Sequence, residues 1–82
     1  MLTVLETKDA KGCALWIEKD PDLRYSIYML DCGFDRAGFK VYDELPRIYR
    51  TERGARQAAA LLTEEKLKWS AVRTDPPLPV TN

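Results

Sequence analysis

Four or more strand-forming segments share this chain with a single convincing helix, and that imbalance limits what it can fold into. One helix shields one face of a sheet. The other face is left to water, to a partner, or to another part of the chain. The 82 residues suffice for one domain, expected at 1–74, with a tail at 75–82.

The strands are read from β-branched and apolar runs bounded by turn residues. Leu2–Thr7 is the first. Lys8-Asp9-Ala10-Lys11-Gly12 then supplies a turn, with Gly12 free to take the left-handed conformation. Cys13–Lys19 is the second strand, stopped by Asp20-Pro21-Asp22. Arg24–Leu30 is the third. Residues 31–38 read as a loop, Phe39–Tyr42 as a fourth strand, and Ile48-Tyr49 as a short further pairing after the Asp43-Glu44-Leu45-Pro46 turn.

The helix is expected to start at Thr51, whose hydroxyl can cap a free N–H, with Glu52 at the positive end of the dipole. Ala55, Ala58, Ala59 and Leu62 fall at i, i+3, i+4 and i+7, one buried stripe. With no glycine before Pro76, the helix is extended to about Ala71, with Lys66 and Lys68 near its C-terminal end. The other reading returns Trp69–Val72 as an edge strand. Asp75-Pro76-Pro77-Leu78-Pro79 cannot be helical and reads as a polyproline-like tail. The expected fold is therefore α+β: an antiparallel meander of about four strands under one long C-terminal helix.

Strand alternation assigns faces. Cys13, Leu15, Ile17, Tyr25, Ile27, Met29, Phe39 and Val41 should meet the alanine stripe, large residues against small. The opposite face then carries Ala14, Trp16, Ser26, Tyr28, Leu30, Lys40 and Tyr42. A bare patch of Trp16, Tyr28 and Tyr42 has four explanations. The tail or the 31–38 loop covers it, or the rings are scattered surface aromatics. It binds a protein, either a second copy or another partner. It stacks single-stranded nucleic acid. Or one strand is out of phase by a residue, which exchanges its faces.

Charge and composition exclude more than they assign. Thirteen basic and thirteen acidic residues give zero net charge, which removes the usual electrostatic case for nucleic-acid binding. The charge is uneven: residues 1–44 hold six basic and nine acidic side chains, residues 45–82 seven and four. Histidine is absent, so Ser-His-Asp and Cys-His catalysis are excluded. No apolar run is long enough to span a bilayer. The N-terminus lacks the basic and apolar regions of a signal peptide, so a cytoplasmic protein is expected. Cys13 and Cys32 are expected as reduced thiols packed among apolar residues, and their separation is not given by the sequence.

Arg47, Arg50, Arg53 and Arg56 recur every third residue around the helix start. They could clamp an acidic or phosphate-bearing partner, or stand as solvated residues pairing with glutamates. Asp20, Asp22, Asp31, Asp35, Asp43 and Glu44 gather at expected turns, which turn chemistry explains more simply than a metal. The β-β-β-β-α order resembles, in architecture alone, the double-stranded RNA-binding domain and the arm-binding domain of phage-type integrases. No signature residue of either stands in the chain, and zero net charge argues against both.

The expectation is a small non-enzymatic accessory or regulatory protein, of the kind a phage or prokaryote uses as an inhibitor. It would act by binding a protein, or a copy of itself, through Trp16, Tyr28, Tyr42 and Lys40, through Arg47, Arg50, Arg53 and Arg56, or through both sets. No catalytic residue, metal, cofactor or membrane contact is expected. The alternatives are a nucleic-acid module using the same aromatics and arginines and, more remotely, a carboxylate-dependent enzyme.

Overall fold

A computed structural model describes residues 2–20 and 27–72. The chain runs β1 (Leu2–Lys8), β2 (Ala14–Lys19), β3 (Tyr28–Cys32), β4 (Arg47–Tyr49), α1 (Glu52–Thr63) and β5 (Ser70–Ala71). The strands form one antiparallel sheet in the order β4-β3-β2-β1-β5, with α1 packed on β2, β3 and β4. The α+β class is as the sequence predicts, with five strands. The tail at 75–82, Asp22, and the expected start of the third strand at 24–26 lie outside the described residues.

The β1–β2 turn forms because Asp9 organises it. Its Oδ1 accepts from the backbone N–H of Lys11 at 2.9 Å and of Cys13 at 2.7 Å. Gly12, at φ +87°, supplies the left-handed residue that closes the turn. In β1 the register shifts between Thr3 and Leu5, and Val4 is the extra residue. The bulge breaks the alternation, so that Leu5 is buried and Val4 packs against the core as well. The Val4 carbonyl accepts from Val72 at 3.0 Å, just past β5.

The core lies between sheet and helix. Leu15, Ile17, Leu30 and Cys32 are fully buried with Ala55 and Ala59, and Leu5 and Leu45 close its margins. The alanine stripe lets α1 approach closely, as the sequence predicts, and Ala58 and Leu62 pack against the same cluster. Each fully buried leucine or isoleucine contributes on the order of 1.5–3 kcal/mol by leaving water.

Two elements differ from expectation. The helix stops at Thr63, because Glu64 adopts the left-handed conformation at φ 57° and its N–H still reaches the Ala60 carbonyl. The following chain is then held against β1. Glu65 Oε2 accepts from Ala10 N at 3.0 Å, and the Thr7 hydroxyl donates to the Lys68 carbonyl at 2.7 Å. Ser70 and Ala71 pair with Glu6 and Leu5, so the edge-strand reading is correct and the helix to Ala71 is not. Lys66 and Lys68 are therefore not helix-terminal. Phe39–Tyr42 is no sheet strand either. Asp35 folds residues 34–40 into a small hairpin, its Oδ1 accepting from Ala37 N at 2.8 Å and Phe39 N at 3.0 Å, with a lone bridge between Phe34 and Lys40. Phe39 and Val41, expected in the core, are exposed.

Candidate binding surfaces

The three rings do not share a face. Leu15 lies opposite Cys32, Ile17 opposite Leu30, and Lys19 opposite Tyr28, so Tyr28 and Leu30 point to the helix side. Met29 points away from it. The phase expected for β3 is out by one residue, while that of β2 is correct: Leu15 and Ile17 face the helix and Trp16 does not. Tyr28 packs at the core margin, as does Tyr42.

Trp16 is half-buried on the helix-free face by neighbours that the sequence does not reveal. Its Nε1 donates to Glu18 Oε2 at 2.9 Å. The 34–40 hairpin folds beside it and sets Lys40 Nζ 5.8 Å from its ring centre and 4.7 Å from that of Phe34. The same ammonium pairs with Asp31 Oδ1 at 2.5 Å and donates to the Cys32 carbonyl at 3.0 Å. Lys40 is thus a clamp between hairpin and sheet, committed within the molecule. A groove of about 320 Å³ runs over β1 beside Trp16, between Lys8 and Ser70.

Tyr42 is held from the other side. Its hydroxyl donates to Asp9 Oδ2 at 2.6 Å. Burial opposes the Asp9 charge, but the bonds from Tyr42, Cys13 and Lys11 outweigh it and hold the carboxyl below its ordinary range. Burial and the Asp9 carboxylate together push the Tyr42 hydroxyl well above its ordinary range. Cys13 lies diagonal to Cys32 on the helix side, and both thiols are free. Burial first, then the Asp9 charge, push the Cys13 thiol up, the reverse of an activated nucleophile. Among the described residues no three metal-ligating side chains gather, and no helix is long and apolar enough to cross a membrane.

The arginines divide. Arg56 pairs with Glu52 at 3.2 Å one helical turn away. Arg47, Arg50 and Arg53 are exposed around β4 and the start of α1. Arg47 borders a groove of about 300 Å³ between β4 and α1, whose walls are Leu45, Tyr49, Ala58, Leu61 and Leu62. Leu61 is 80% exposed there, and Ile48, on the other side of β4, is 65% exposed.

β4 also ends the sheet. Asp20 N donates to the Ile27 carbonyl at 3.1 Å and Gly33 N to the Ala14 carbonyl at 3.0 Å. By alternation, the odd-numbered residues of β3 bond to β2, and Tyr28 and Leu30 bond to Tyr49 and Arg47 of β4. Ile48, between them, turns its N–H and C=O away from the sheet, and among the described residues nothing takes them up. This open edge escaped sequence reading. Its only signal was the Ile48-Tyr49 pair after Pro46. Comparison with protein-family models, with curated proteins and with solved structures found no match.

Proposed function

We propose that the chain is a small non-enzymatic protein that acts by binding another protein on the side where β4 ends the sheet. The observation that carries this reading is the convergence there of a strand edge unpaired among the described residues, two exposed aliphatic side chains and three exposed arginines. Apolar anchors ringed by charge are what a specific protein contact needs. The reading moves the site away from Trp16, Tyr28, Tyr42 and Lys40, which internal contacts occupy. A regulator or inhibitor is the class of protein that such a surface suits.

The test is selection of a displayed peptide library on the folded protein, with the Ile48→Glu/Leu61→Glu double variant as counter-target. Both side chains are exposed, so the variant keeps its core, which its melting curve checks. Sequences kept by the parent and lost by the variant support the reading. Indifference of every selected sequence to the double change overturns it. Salt-dependent capture of single-stranded DNA or RNA, lost with Arg47, Arg50 and Arg53, would install the nucleic-acid reading in its place.

A further inference from the structure

Resting on that reading, we infer that the partner enters as an extended, acidic-ended segment that lies along β4 as a sixth strand. The outward N–H and C=O of Ile48 are the donor and acceptor that a sheet offers an added strand. An added strand would send alternate side chains to opposite faces. One set would enter the groove between Tyr49 and Leu61, and the other would lie beside Ile48. A helix could use the groove but would leave the Ile48 backbone unpaired.

Charge selects the occupant. Arg47 stands at one end of β4, and Arg50 and Arg53 follow just past the other, and among the described residues Glu44 is the one acid on the groove wall. Glu52 is already committed to Arg56. A second copy pairing edge to edge about Ile48 would crowd the Arg47 and Arg50 of both copies along one seam, the like-charge device that keeps edges from self-pairing. Residues 73–82 of this chain carry one acid and three prolines, which cannot donate to a ladder. A segment with carboxylates at both ends meets none of these objections.

The probe is a short synthetic peptide of alternating valine and threonine with two acidic residues at each end. Amide shifts, hydrogen exchange and calorimetry follow its binding to the full chain. Expected are saturable binding, shifts centred on residues 47–50 and 58–62, and at least tenfold slower exchange of the Ile48 amide. N-methylating the peptide's amides that face β4 leaves its charge intact and should weaken binding at least tenfold, as should replacing its acids with lysine, whereas methylating the amides on its far edge should not. Indifference to N-methylation, shifts centred elsewhere, or failure of the probe while the library yields binders lost in the double variant overturns strand addition and leaves the proposed function standing. A parent that sediments as a dimer, and as a monomer on Ile48→Glu, gives the edge to a second copy and overturns it too.

Discussion

The hydroxyl of Tyr42 donates to Asp9 Oδ2 at 2.6 Å, joining residues 33 positions apart. Asp9 is only 7% exposed, and its other oxygen holds the β1–β2 turn. One carboxylate thus ties the first hairpin to the loop that leads into β4.

Removing either partner should therefore destabilise the protein unequally. Tyr42→Phe deletes one bond and should cost about 1–2 kcal/mol. Asp9→Ala leaves two N–H groups and a hydroxyl without their acceptor and should cost about 3 kcal/mol or more. Urea unfolding measures both. Equal losses would show that the turn does not depend on Asp9.

The pair also sets a pH window. The Asp9 carboxyl is held below its ordinary value, so its contribution is complete above the unfolded value of about 3.9 and is lost as pH falls through the lower folded value. Tyr42 is raised, so its contribution is complete below about pH 10 and is lost as pH climbs through the higher folded value. Stability measured against pH should fall on both sides. Asp9→Asn should flatten part of the acid limb, and absorbance near 295 nm should show one tyrosine ionising late. An acid limb unchanged in Asp9→Asn would refute the assignment.

The phase of β3 predicts a sharp contrast between neighbours. Leu30 is fully buried, and Leu30→Ala should cost about 2–5 kcal/mol. Met29 points away from the helix, and Met29→Ala should cost about 1 kcal/mol. Reversal of that order in denaturant titrations would restore the alternative phase.

At the helix start, a Cβ on Gly54 would stand 3.0 Å from Thr51 Oγ1, the oxygen that caps α1 by accepting from Gly54 N at 2.9 Å. Thr51→Ala should cost about 1 kcal/mol. Gly54→Ala should gain less than its full propensity of about 1 kcal/mol in the parent, because of this crowding, and the full amount in the Thr51→Ala background. Thermal melts of the four proteins give the coupling, and strict additivity would show that the contact is relaxed at no cost.

Much of this architecture was legible because local patterns were unambiguous. Leu15-Trp16-Ile17-Glu18 fixes the phase of β2 once one face must be buried, and the alanine spacing fixes the buried side of α1. β3 was misread because Ile27-Tyr28-Met29-Leu30 is apolar throughout, so alternation cannot distinguish its faces. The helix end was missed because Glu64, not glycine, takes the left-handed turn, held by contacts from the distant Thr7 and Ala10. The candidate site was half legible. The arginines stood out by spacing, but the open edge depends on which strand lies outermost, and that is decided by pairings across the whole chain.

The order β4-β3-β2-β1-β5 puts β1 next to β5, the strand that follows α1. A nascent chain can zip β1, β2 and β3 as successive hairpins while synthesis proceeds, since each closes over a short distance. The flank of β1 that β5 will occupy must wait until residue 72 has emerged. Until then an emerging molecule bears two unsealed borders, at β4 and at β1, and the arrival of β5 closes the second.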